Sequence, residues 1–134
     1  GALLMRLVLG VIIVAHGYTK IIPSGALYAF SHMVVKMHLP VWLGYVSAFT
    51  EFFGGMLLIV GLLTRVAAFM TAIDMAVAII KVHLHGGLLG PNSFALPLAL
   101  FSISVMLVFT GCGWLGLDDF VRRGGSARAR VASR

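Results

Sequence analysis

Residues 43–82 read LGYVSAFTEFFGGMLLIVGLLTRVAAFMTAIDMAVAIIKV. Two apolar runs, 43–63 and 66–82, flank the short polar pair Thr64-Arg65. A bilayer core about 30 Å thick needs about 20 apolar residues of helix to cross it. The stretch therefore predicts two membrane helices folded into an antiparallel hairpin about a Thr64-Arg65 turn. Each run holds one acid, Glu51 and Asp74.

Working outward, residues 3–18 and 94–110 are two further apolar runs, so four spans are expected. His16-Gly17-Tyr18-Thr19-Lys20 follows the first run and no Ala-x-Ala site does, which argues for a retained span rather than a signal peptide. Pro97 is expected to loosen or kink the fourth span. Between the first two spans, Leu27, Phe30 and Val34 share one helical face and Tyr28, His32 and Lys36 another. This predicts an interfacial helix over 25–37, capped by Ser24 and ended by Pro40. The expected fold class is all-α: an integral membrane four-helix bundle with a short interfacial helix in its first outer loop. Residues 1–117 form the membrane domain and 118–134 a basic tail. In that tail Asp118 and Asp119 stand four residues before Arg122 and Arg123, suiting an interfacial turn.

Composition agrees. The chain has 134 residues, of which 60% are hydrophobic and 10% charged. Its mean hydropathy is +1.06. A soluble domain usually carries about a quarter charged residues, so a soluble enzyme, a disordered chain and a disulfide scaffold are excluded. The formal charge of +6 resembles a nucleic-acid signal. Five Arg cluster at 122, 123, 128, 130 and 134, however, and a basic tail after apolar spans speaks for membrane topology. Arg6, Arg65 and these five mark one side; Lys20, Lys36 and Lys81 mark the other. That places both termini in the cytoplasm of a prokaryote, the chain being multi-pass in its cytoplasmic membrane. Arg65, Arg122 and Arg123 are candidate contacts for lipid or a partner, and no nucleic acid is expected.

All five His, at 16, 32, 38, 83 and 85, fall at or beyond the outer ends of spans. Glu51 and Asp74 each lie eight residues below the outer rim, so at about 1.5 Å per residue both sit roughly 12 Å deep. An ionised group at the centre of a span costs at least about 2.5–3.5 kcal/mol, so such residues face the bundle interior. Three stripes fit that placement: Arg6, Gly10, Ile13, Gly17 and Lys20; Ser47, Glu51, Gly54, Gly55 and Leu58; and Ala67, Thr71, Asp74, Ala78 and Lys81. They predict a pocket open to the outer face, floored by Glu51 and Asp74 and rimmed by His16, Lys20, Lys81 and His83. These six are the candidate ligand or proton-relay residues, with His16 and Glu51 the leading pair. The plainer reading makes the acids structural and paired with Lys20 or Lys81, and Lys81 a side chain reaching the interface. His83-Leu84-His85 is too short and irregular for a metal site, and Cys112 is a lone thiol.

The same residues resemble the DoxX family of small four-span bacterial membrane proteins along nearly the whole chain. Arg6 to Gly10, His16-Gly17 and Lys20 are similar to its opening span. Glu51 to Gly55 with Gly61 to Arg65 is similar to its hairpin. Asp74-Met75, Lys81-Val82-His83 and Gly86-Gly87 are similar to its third span and loop, and Phe94 to Gly111 to its last span. The resemblance implies a membrane subunit tied to a quinone-linked oxidoreductase complex, with His16, Lys20, Glu51, Arg65 and His83 as the matching polar positions. A quinone is the expected ligand, bound near the outer face. The chain has no haem-attachment motif and no Cys cluster, so electrons would come from partner subunits or a diffusing quinone. The alternatives are a non-catalytic scaffold or accessory subunit of a larger membrane complex and, more weakly, a small transporter.

Overall fold

The computed structural model describes residues 1–83, 87–90, 93–113, 115–122 and 124. Among them every regular element is helical. The first helix, α1, is Ala2–Ile21, and a short helix α2, Ala26–Lys36, follows. The next long rod is built of α3 (Val41–Phe49), a π turn (Thr50–Gly54) and α4 (Gly55–Val60). The third rod is α5 (Thr64–Ala78), continued by a second π turn (Ile79–His83), and the fourth is α6 (Ala95–Thr110). Residues 117–122 add a final helical turn. The four rods fall where the four apolar runs were expected, and α2 where the amphipathic segment was.

The first two stripes face inward for most of their length, and the third does so only over its first half. Arg6, Gly10, Ile13 and Gly17 are the buried face of α1. Glu51, Gly54, Gly55 and Leu58 are buried on the second rod, while Ser47 is half-buried. Ala67 and Thr71 are buried on α5, Asp74 and Ala78 half-buried, and Lys81 exposed. The core is Leu9, Ile13, Leu58, Ala67, Ala68, Met75, Leu100 and Leu107. Small residues let the rods close on one another. A Cβ on Gly10 would stand 2.9 Å from the Gly55 carbonyl oxygen, and one on Gly17 2.5 Å from the Phe52 amide nitrogen. Thus α1 lies against both α4 and the first π turn, while α5 packs mainly on α6. Buried Ser31 of α2 meets Gly44 of α3 in the same way.

Four local expectations are corrected. The hairpin turn is Gly61-Leu62-Leu63; Thr64 and Arg65 already belong to α5. Gly61, at φ +76°, makes the left-handed step that a helix end commonly uses. The residue capping α2 is Gly25 at φ +77° rather than Ser24, and α2 stops at Lys36, leaving Pro40 to begin α3. Pro97 falls in the first turn of α6, where a missing N–H removes no hydrogen bond, so it has no ladder to break.

Two rods, Ala2–Ile21 and Val41–Val60, are each 20 residues long and apolar enough to cross a membrane, and only 28% and 33% of the most apolar 18 residues of each are buried inside the protein. Ala95–Thr110 is apolar but shorter.

Candidate functional site

Glu51 sits in the first π turn, where one extra residue widens the helix, an irregularity that recurs at functional sites. Gly17 is what brings α1 to it. With no Cβ at 17, the helix rests on the Phe52 backbone, and Lys20, one turn further along, reaches Glu51. Lys20 Nζ donates to Glu51 Oε1 at 2.7 Å, and only 4% of the Glu51 side chain is exposed. The ammonium also lies 4.2 Å from the centre of the Phe30 ring, so α2 closes over the pair from outside. Asp74 of α5 completes the group, near enough to Glu51 for the two carboxyl charges to bear on each other. The other Glu51 oxygen, Oε2, is buried and receives no donor among the described residues.

Lys20, Glu51 and Asp74 are therefore brought together by three separate rods. The other candidates stand apart. His16 is exposed, and its Nδ1 donates to the Ile12 carbonyl of its own helix at 2.9 Å. It does not pair with Glu51, because position 16 lies on the outer face of α1 beside buried Gly17. Lys81 is exposed in the second π turn, which His83 closes. The His83 side chain lies outside the described residues, as do His85 and Arg123.

The opposite end holds a cluster that the spacing did not announce. Arg6 is 2% exposed and donates from Nη1 to the Cys112 carbonyl at 3.1 Å. Asp118 does not pair with Arg122. Its two carboxylate oxygens accept from the Leu63 and Thr64 amides, both at 2.8 Å, and its own amide donates to the Gly61 carbonyl at 3.0 Å. Asp118 thus caps α5 from 54 residues away. The clue was negative: Gly61-Leu62-Leu63 offers no side-chain cap of its own. Asp119 takes the arginine instead, accepting from Arg122 at 3.5 Å.

Partial burial alone would raise the Asp118 pKa. The amide hydrogen bonds from Thr64 and Leu63 and the nearby Arg6 charge outweigh it and hold the carboxyl below its ordinary value of 3.8. Because the folded value is the lower one, this stabilisation is complete above the ordinary value and is lost as pH falls through the folded one. Thermal unfolding in detergent should therefore weaken more steeply on acidification below about pH 4 in the wild type than in Asp118→Asn. Parallel curves would remove Asp118 from that role.

Two hollows complete the picture. A cavity of about 560 Å³ at the hairpin end is lined by Arg65, Gly111, Cys112, Asp118, Asp119 and Arg122, among others. An apolar groove of about 460 Å³ runs between the second and third rods past Tyr45, Phe49, Phe53, Leu57, Val66 and Met70. Neither is lined by Lys20, Glu51 or Asp74; in that cluster Glu51 is buried while Lys20 keeps 23% of its side chain exposed.

The family profile described as DoxX matches residues 1–84, which take in α1 to the second π turn and all three members of the cluster. The chain belongs to the DoxX family. It is also 36% identical over 125 residues to the Bacillus subtilis (strain 168) protein named "Putative oxidoreductase CatD", covering 92% of this chain and 89% of that one. No solved structure matches it significantly. The matched DoxX region ends before α6, so the Cys112 carbonyl that holds Arg6 and the Asp118 carboxylate that caps α5 both come from beyond it.

Proposed function

We propose that this DoxX chain is a membrane subunit of a quinone-linked redox assembly. Its four rods cross the cytoplasmic membrane of a prokaryote with both ends in the cytoplasm. In this reading Lys20, Glu51 and Asp74 exchange a proton with a quinone or quinol at the outer side. The observation that carries the proposal is Glu51, buried with one oxygen on Lys20 and the other without a donor, beside a second carboxyl.

The membrane placement is supported by where apolar side chains go. Leu4, Val11, Val66, Phe69, Ile80 and Phe109 are among many exposed large hydrophobics, and an apolar surface of that extent suits lipid. The redox assignment is supported by the resemblance to a protein named an oxidoreductase.

The proton role follows from counting charge. One ammonium balances one carboxylate. With both acids ionised, the cluster keeps a net negative charge in apolar surroundings, which is costly. One proton shared between the carboxyls removes that charge. Such a proton is exchangeable, and quinone reduction consumes protons while quinol oxidation releases them. Glu51 is the acid at the centre, Asp74 its proton-sharing partner, and Lys20 the base that fixes Oε1 so that Oε2 is left to carry the proton. Partner subunits supply the electrons for quinone reduction or accept those released by quinol oxidation.

The test is Glu51→Gln in the complex purified with its partner subunits, assayed with a short-chain quinol. Turnover should fall at least tenfold while the complex stays intact. An intact complex with unchanged turnover would give the cluster a purely architectural role and make the chain a scaffold.

A further inference from the structure

The 560 Å³ cavity and the 460 Å³ groove share two lining residues, Leu63 and Val66. The two hollows thus adjoin at Leu63 and Val66, the first carrying charged residues and the second almost none but apolar ones. The polar end carries Arg65 and Arg122. Arg65 is exposed and, among the described residues, makes a long hydrogen bond from Nη2 to the Phe109 carbonyl at 3.4 Å. The acids on the same wall are already engaged. Both oxygens of Asp118 point at the α5 amides, and Asp119 accepts from Arg122. The apolar end runs along the second rod from Leu57 to Tyr45. Twelve residues of helix cover about 18 Å, close to the depth of one leaflet, about half of a 30 Å core. Phe109, Leu115 and Phe120 are 77%, 72% and 80% exposed around the polar end, which suits immersion at a membrane surface.

We propose that these adjoining hollows bind one anionic glycerophospholipid, its phosphate on Arg65 and Arg122 and one acyl chain in the groove. An arginine fork matches phosphate oxygens. The groove wall is almost wholly apolar and offers an acyl chain nothing polar to disturb. Each end alone is weak: an exposed arginine pair holds a free anion poorly in salt, and an open groove holds an alkyl chain poorly among lipids. Their connection through Val66 makes the two contacts one binding event. The inference rests on the membrane placement proposed above, but not on the proton role of Glu51.

The test is native mass spectrometry of the delipidated protein in detergent, titrated with phosphatidylglycerol, phosphatidylcholine and inorganic phosphate. One phosphatidylglycerol should bind at least tenfold tighter than phosphatidylcholine, and inorganic phosphate should not bind measurably. Arg65→Gln should lower phosphatidylglycerol affinity about tenfold, and Val66→Trp should lower it too by blocking the join. Both positions are exposed, so the folded state is checked simply by melting temperature. Equal affinity for the two lipids, or no effect of Arg65→Gln, overturns the proposal. Tight binding of inorganic phosphate would make it a free-anion site, and displacement of the lipid by a long-chain quinone would give the groove to a different ligand. Extraction of the protein from membranes by alkali separately tests the placement, so its failure is distinguishable from failure of the lipid site.

Discussion

Gly61→Ala should destabilise the protein far more than the same change at Gly25, although each adds a single methyl group at a left-handed position. A left-handed residue bearing a Cβ costs about 1–2 kcal/mol, and Gly61 has φ +76°. The added carbon would also collide with the Arg6 guanidinium and lie 2.8 Å from the Gly116 Cα. Neither can step aside. Arg6 is 2% exposed and tethered to the Cys112 carbonyl, and Gly116 is backbone. Overpacking of this kind adds about 1–3 kcal/mol. The Gly61 carbonyl moreover accepts from the Asp118 amide, so a shift of the turn would pull the carboxylate off the amino end of α5. Gly25→Ala is the control. Gly25 has φ +77°, yet a Cβ there meets nothing within 4 Å. Thermal melts in detergent should therefore show a modest loss for Gly25→Ala and one at least twice as large for Gly61→Ala. Equal losses would mean that backbone strain alone is at work and that Arg6 has room to move.

This cluster also shows where reading the sequence stops. Arg6 stood on the predicted inward stripe of α1, but as a charge near a helix end it was assigned to topology. The hydrophobic period gave the face of the helix. It gave no partner, because that partner, the Cys112 carbonyl, is supplied by the far end of the chain, as is the Asp118 carboxylate that caps α5. Asp118 had a nearer candidate in Arg122, four residues on, and local spacing always proposes the local pair. The same limit applies at the other end. The shared depth of Glu51 and Asp74 followed from counting residues along two antiparallel rods, and their charges are near enough to bear on each other. The choice between His16 and Lys20 as the base did not follow. It depends on Gly17 letting α1 settle on the Phe52 backbone, which turns position 20 inward and leaves position 16 outside. The π turns were likewise illegible, since one extra residue in a turn leaves no mark in a pattern of small and apolar side chains.

Lys20→Met should destabilise the protein more than Glu51→Gln, and the two changes together should cost less than their sum. Removing one partner of a buried ion pair strands the other and typically costs about 3–5 kcal/mol. Lys20 keeps 23% of its side chain exposed, so solvent screens part of the loss and about 2–3 kcal/mol is the expected figure. The asymmetry comes from what each change leaves behind. Without the ammonium, two carboxyls face each other in an apolar bundle with no base. Without the carboxylate charge, Lys20 still lies over Phe30 and can extend toward the solvent it already meets. A double-mutant cycle read by thermal melts should therefore give a coupling above about 1 kcal/mol, and strict additivity would mean that the 2.7 Å contact contributes nothing to the fold. The double variant then separates architecture from chemistry. It retains the shape of the cluster while lacking both the base and the central acid. Folded and assembled but unable to turn over quinol, it would show that the acid is needed for its proton; folded, assembled and fully active, it would show that the ion pair only pins α1 to the second rod.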